Sequence, residues 1–218
     1  QAYKASRRRP SARWSPLTAT HPFQKVVGDV LGPLPSSDGH RYVVVFVDVL
    51  TRWPEAQALK KKDAQSIGRA FVELIVARHG VPALFLSDNG TDFSNRFFSS
   101  LCRLLGTDKV FSAAYHPQSH GMLEKLIGTI QDRLVFLTNG DATDWSNFLY
   151  SALFSIRTTP HESISMSPFE ALYGRRPLLP VNVAVLPPPE LKDQTPRDAI
   201  RLNTNCLSKL QEIGRAHV

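Results

Sequence analysis

The sequence predicts a mixed α/β domain: one five-stranded sheet with helices packed against it. Three observations carry that reading. Three strand-like runs follow one another across short turn-forming stretches, the valine-rich "KVVGDVLG" at 25–32 and "RYVVVFVDVL" at 41–50, then "WPEAQAL" at 53–59. Such a run of strands is a meander and requires at least one antiparallel pairing. Past residue 63 the apolar period lengthens, and strand-like runs alternate with helical ones, the pattern of parallel strands covered by helices. Finally, 218 residues at 42% hydrophobic content can bury one substantial core.

The elements follow in order. "DAQSIGRAFVELIVARHG" places Ile67, Ala70, Phe71, Leu74, Ile75 and Arg78 at helical spacing, with Asp63 near the start and Gly80 past the end. "PALFLSD" reads as a fourth strand, "NRFFSSLCRLLG" as a second helix, "DKVFSA" as a fifth strand and "QSHGMLEKLIGTIQDRLVFL" as a third helix. The order is therefore βββαβαβα. "TDWSNFLYSALFSIRTT" predicts a further helix, and "SPFEALYG" a short one opened by Ser167 with Pro168 at its first position. Beyond Gly174, "RRPLLPVNVAVLPPPELKDQTP" is too proline-rich for a core element and reads as an extended linker. "TPRDAIRLNTNCLSKLQEI" restarts a helix, with Leu202, Cys206, Leu210 and Ile213 along one stripe. The closing "EIGRAHV" reads as the translation of a sequencing adapter. The expected organisation is a basic arm at 1–20, a core at 21–178, a proline-rich linker at 179–194, a C-terminal helix at 195–211 and the adapter-derived tail at 212–218.

Composition narrows the partners. The formal net charge is +7 with a pI near 9.6, which favours polyanions. Lys4, Arg7, Arg8, Arg9 and Arg13 crowd the first 13 residues with no acid among them. They suit an arm lying along phosphates and equally a solubilising tail. "LKKKD" at 59–63 reads as a solvated connection from strand to helix. No apolar run is long enough to cross a bilayer, and the first residues lack a secretory signal, so an intracellular protein is expected. Cys102 and Cys206 have no partners at metal-ligand spacing and read as plain thiols.

Three acids stand out by position. Asp29 interrupts the apolar first strand, Asp88 ends the fourth, and Glu124 borders the apolar stripe of the third helix formed by Leu123, Leu126, Ile127, Ile130, Leu134 and Leu137. A carboxylate in a covered strand is costly unless a cation or donors meet it. The bland alternatives are a wet edge strand for Asp29 and an ordinary turn for Asp88. If the first and fourth strands are parallel neighbours, Asp29 and Asp88 stand side by side and Glu124 can close a three-carboxylate pocket. Such a set resists joint ionisation without a divalent cation, and its hard oxygens suit Mg²⁺ or Mn²⁺. A pair of such ions stabilises both oxygens of an in-line phosphoryl displacement.

With 35 residues between Asp88 and Glu124, the blocks "GDVLGPLP", "VVVFVDVLTRWPEA", "SDNGTDFSNRFF", "AYHPQSHGMLEK" and "SPFEALYG" resemble the integrase catalytic core of gypsy-type long-terminal-repeat retrotransposons and retroviruses, over roughly residues 21–178. The resemblance implies a ribonuclease-H-like fold, with Asp29, Asp88 and Glu124 as metal-binding catalytic acids for two Mg²⁺ or Mn²⁺ ions. It further implies end processing and strand transfer on element-end DNA and target DNA, a homo-oligomeric full-length protein, and action in the nucleus or in virus-like particles before that. Candidate DNA contacts are Lys125, Gln118 and His116, with Arg7, Arg8 and Arg9 in the arm; Tyr115 and His120 are polar neighbours of the same loop. Asp48 and Asp92 read as structural, and Trp53 and Trp145 as packing residues.

The chain also departs from that family. "KLIG" stands where polar and basic residues usually face DNA, Gly128 weakens a helix interior, and the zinc-binding amino-terminal module is expected to be missing ahead of "QAYK". Two alternatives therefore stand beside an active integrase core. One is a decayed or host-adopted copy that binds nucleic acid or protein without chemistry. The other is a ribonuclease-H-like nuclease.

Overall fold

A computed structural model describes residues 19–88, 90–111 and 117–179, with the backbone alone for 117–120. The arm carrying Arg7, Arg8 and Arg9, the linker from 180 and the helix and tail at 195–218 lie outside the described residues.

The five strands are β1 (Lys25–Leu31), β2 (Tyr42–Asp48), β3 (Pro54–Leu59), β4 (Leu84–Ser87) and β5 (Asp108–Phe111). They lie in the order β3-β2-β1-β4-β5. β1–β2 and β2–β3 are antiparallel, as the meander requires, while β1–β4 and β4–β5 are parallel. β3 therefore runs in the direction of β1, β4 and β5, and the final residues of all four strands share one end of the sheet.

Both faces of the sheet are covered, which explains why β2 reads as an unbroken apolar run. Val43, Val45 and Val47 enter one core cluster with Val27, Leu84 and Leu86; Val44 and Phe46 enter the other with Val26 and Phe85. The first cluster is closed by α5 (Pro117–Leu137) and α6 (Trp145–Thr158). The second is closed by α1 (Ala64–Phe71), its continuation, and α4 (Arg96–Leu105). The single helix expected over 63–80 is continuous but not uniform: α1 passes through a π-helical turn at Val72–Val76 into α2 (Ala77–His79), and ends at Gly80 with φ +91°. Asp63 caps it, its carboxylate accepting from the Ser66 N–H at 2.8 Å.

A one-turn helix, α3 (Thr91–Ser94), follows β4 and had no signal in the periodicity, being too short to show one. Asn95 then caps α4, and Gly106 closes it in the left-handed conformation. At α7 (Pro168–Tyr173) Ser167 opens the helix as expected, and with Glu170 it forms a reciprocal capping box. Gly28 is a glycine for want of room: a Cβ there would lie 2.6 Å from Phe85 Cζ and 3.0 Å from Phe46 Cδ1.

One buried polar cluster has no counterpart in the sequence reading. Glu55, 3% exposed, accepts from Trp53 Nε1 at 3.0 Å, Arg78 Nη1 at 3.1 Å and Arg157 Nη2 at 2.9 Å, and pairs with His79 Nε2 at 3.1 Å. Burial alone would raise its carboxyl, but the His79 bond, the Arg157 charge and the Trp53 bond outweigh it and hold the group below its ordinary value. Arg157 also stands over the Trp53 ring at 4.4 Å and donates to the Pro54 carbonyl, tying α6 to β3. Trp53 and Trp145 are packing residues as expected, each with its indole N–H donating, to Glu55 and to the Pro35 carbonyl respectively.

Candidate active site

The register decides which acids meet. Gly28 of β1 pairs with Ser87 of β4, so Asp29 and Asp88 are the next residues on adjacent parallel strands. Alternation puts Asp29 on the face of Val27, and Asp88 on the face of Leu86, both in the cluster that α5 covers. Both acids are half-buried, since β4 ends at Ser87 and opens the sheet there to solvent. β1 is an inner strand between β2 and β4, so Asp29 does not belong to an edge strand, although its pairing with β4 ends at Gly28.

Asp88 is held in place locally. Its Oδ1 accepts from the Gly90 N–H at 3.0 Å. Gly90 has φ −63° and ψ 157°, a conformation open to any residue, so backbone freedom does not require glycine there. Space does: a Cβ on Gly90 would lie 2.9 Å from Asp88 Oδ1, 3.0 Å from Oδ2 and 3.2 Å from Cγ. Gly90 thus seats the carboxylate in an Asx-type turn just past the strand.

Glu124 stands one residue past Leu123, which is 2% exposed in the core cluster, and α5 packs against β1. The glutamate is itself exposed at the border of the buried stripe. Leu123, Ile130 and Leu134 are buried, while Leu126, Ile127 and Leu137 pack partly buried against the same cluster. Leu126 and Ile127 therefore help pack this helix against the core, while Gly128 has open space beside it. Early in α5, Met122 receives a hydrogen bond from Arg52 Nη1, whose Nε donates to Ser163 Oγ at 3.3 Å. Arg52 occupies the β2–β3 turn at φ +62°, a left-handed conformation uncommon outside glycine and asparagine. It ties this part of α5 to the sheet and to the segment after α6.

The remaining acids sort as expected. Asp48 is fully buried and accepts from the Phe23 and Thr51 N–H groups at 2.9 Å and from the Thr51 hydroxyl at 2.6 Å, a structural role. Asp92 pairs with Lys62 at 3.0 Å. Lys125 is exposed on α5, His116 lies outside the described residues, and Gln118 is described only as a backbone position in the first turn of α5. Cys102, 1% exposed, is a plain thiol pushed up to about 11 by burial.

The donor set suits a hard divalent cation, because all three candidates are carboxylates, one within β1 and one just past the end of β4. Asp29 and Asp88 would hold such an ion, with Glu124 reaching it from the helix. Among the described residues no three His, Cys, Asp or Glu side chains stand close enough to hold a metal.

The integrase core domain family profile matches residues 19–117. The chain is 30% identical over 171 residues to the retrovirus-related Pol polyprotein from transposon 412 of Drosophila melanogaster, covering 76% of this chain and 14% of the relative. It is 37% identical over 146 residues to the Pol polyprotein of Radiation murine leukemia virus (strain Kaplan), covering 66% of this chain and 25% of that one. The chain thus spans a quarter or less of these relatives. Among solved structures, the catalytic core domain of BIV integrase superposes with a TM-score of 0.56 at 23% identity, covering 69% of this chain and 93% of that one. A chain of the simian T-cell lymphotropic virus intasome, in complex with PP2A regulatory subunit B56 gamma, gives 0.62 at 21% identity, covering 84% and 63%. At these identities the likeness is one of fold. No helix among the described residues is long and apolar enough to cross a membrane. Strand order, helix placement and the run of related sequences together make this chain a member of the integrase core domain family of retroviruses and retrotransposons, on a ribonuclease-H-like fold.

Proposed function

We propose that this chain is the catalytic core of a retroelement integrase, a polynucleotidyl transferase that processes element-end DNA and joins it to target DNA. The observation that carries the reading is the placement of Asp29 and Asp88 as consecutive steps beyond the paired Gly28 and Ser87 at the open end of two parallel strands. Asp29, Asp88 and Glu124 would hold Mg²⁺ or Mn²⁺, which when bound supplies charge stabilisation to the oxygens of an in-line displacement at phosphorus. The chain's own part is to fix the first two carboxylates on strands, to seat Asp88 against Gly90, and to bring Glu124 in on a helix anchored through Leu123 and Met122.

The same reading gives Lys125, Gln118, His116 and the arm residues Arg7, Arg8 and Arg9 as DNA contacts, a homo-oligomer as the working form, and the nucleus as the place of action. Net charge of +7 supports a polyanionic substrate. A disintegration assay on a branched DNA mimic of the integration product tests the proposal, with Mn²⁺ and then Mg²⁺, beside Asp29→Asn, Asp88→Asn and Glu124→Gln. Metal-dependent resealing that each substitution abolishes is expected. Resealing that survives all three would reject the assignment, and a folded chain that never reseals would replace the integrase with a binding module.

A further inference from the structure

The lysine run at 60–62 is the solvated connection from strand to helix that the sequence predicts, and the topology delivers it to the acid-bearing end of the sheet. β3 runs parallel to β1 and β4, so its exit at Leu59 opens on the end where Asp88 leaves β4. Through β2, Ala56 of β3 lies level with Asp29, since both pair with Val45. Lys60 therefore stands four residues past that level and two strands across, about 13 Å along and about 10 Å sideways at ordinary strand spacings.

Contacts on three sides fix the loop in that place. Lys62 bridges to Asp92 of α3 at 3.0 Å, a helix that begins three residues after Asp88. The Lys60 side chain runs along the β1–β2 hairpin, its Cε 3.7 Å from where a Cβ on Gly39 would sit. Asp63 caps α1 immediately afterwards, so the connection has no slack. Lys62 is thereby committed to Asp92, whereas Lys60 and Lys61 are exposed and form no ion pair among the described residues. The short, pinned loop thus presents Lys60 and Lys61 as exposed ammonium groups, Lys61 with Asp63 as a charge neighbour.

We propose that Lys60 and Lys61 bind backbone phosphates of the DNA on which the carboxylate site acts. The inference rests on the proposed function for its ligand and on the sheet topology for its location. Phosphate contacts of this kind set position and contribute affinity without reading sequence. Each lysine that releases a counterion adds about 0.9 to the steepness of log K against log salt on duplex DNA.

The test is the full chain binding a fluorescein-labelled duplex oligonucleotide without divalent metal, titrated between 50 and 200 mM NaCl. Lys60→Gln/Lys61→Gln is expected to flatten the slope by about 1.8 and, by that relation, to remove about a 12-fold difference in affinity across the fourfold salt range. Lys60→Arg/Lys61→Arg keeps both charges and should keep the slope. Arg103→Gln, in the last turn of α4 beside the start of β5 and so at the opposite end of the sheet, should leave it unchanged. An unchanged slope in the glutamine pair, an equal loss per charge in Arg103→Gln, or an intact chain with no salt-dependent binding would each overturn the proposal. Binding that behaves as expected in a chain that never reseals DNA would defeat the catalytic reading alone.

Discussion

Gly90→Ala separates the stability of this fold from the position of one carboxylate. The added methyl would lie 2.9 Å from Asp88 Oδ1 and 3.0 Å from Oδ2, against an ordinary contact near 3.5 Å. The Asp88 carboxylate must therefore move by about 0.5 Å, and the 3.0 Å bond from the Gly90 N–H is strained or lost. Stability changes little. Losing the hydrogen bond costs about 1 kcal/mol, while replacing glycine at a permitted φ returns about 0.4–1 kcal/mol through the unfolded chain. Chemistry should suffer far more, because functional groups must hold to about 0.5 Å and a displacement of about 1 Å can cost 100-fold. The expected result is a disintegration rate lowered about 10- to 100-fold with a denaturation midpoint within about 1 kcal/mol of the parent. A folded Gly90→Ala chain that reseals DNA at the parental rate would refute the seating of Asp88 by Gly90.

The other expectations test different parts of the molecule. Gly28→Ala drives a methyl to 2.6 Å from the Phe85 ring and should destabilise the fold by about 1–3 kcal/mol, partly relieved by Phe85→Leu, as read by urea denaturation. Glu55→Gln breaks a buried charge cluster and should cost about 3–5 kcal/mol. Because the folded Glu55 carboxyl lies below its ordinary 4.5, the unfolded chain binds the proton first; stability from this group is full above about pH 4.5 and is lost as pH falls through the folded value. The difference in stability between parent and Glu55→Gln should therefore shrink in that acid window, while Asp48, shifted the opposite way by burial, contributes equally to both chains. Added Mn²⁺ should raise the melting temperature of the parent but not of Asp29→Asn/Asp88→Asn, and chelator should reverse it, corresponding to about 2.7 kcal/mol at one hundred times the dissociation constant. In a Cys206→Ser chain, Cys102 should resist iodoacetamide at pH 8 until denaturant is added, since its thiol is buried and pushed up to about 11.

Asp48 and Glu55 are satisfied buried polar groups: Asp48 with its Thr51 and Phe23 donors, and Glu55 with Trp53, Arg78, His79 and Arg157. Such networks are costly to disturb, since a lost partner strands a buried charge. Through Phe46, Glu55 lies level with Gly28 and two strands across from it, so its network stands beside the half-buried Asp29 and Asp88 rather than at the far end of the sheet.

The alternating and helical periods were legible in the chain itself, because burial on one or both faces of an element imposes them locally. They supply the βββαβαβα order, the caps at Asp63 and Ser167, and Asp29 as an acid where an apolar residue belongs. Short features escaped: α3 has too few residues to show a period, and the π-helical turn at Val72–Val76 keeps the apolar spacing of an ordinary helix. What no local pattern carries is register. That Gly28 faces Ser87, and hence that Asp29 stands beside Asp88, depends on pairing between strands far apart in sequence. The same long-range packing gathers Glu55 with His79 and Arg157, crowds Gly28 against Phe85 and Phe46, and carries the solvated lysine run to the acid-bearing end of the sheet. The sequence by itself determined which residues are available and which way each element faces; the tertiary structure alone decided which of them touch, because contact depends on the pairing of strands and the seating of helices across the sheet.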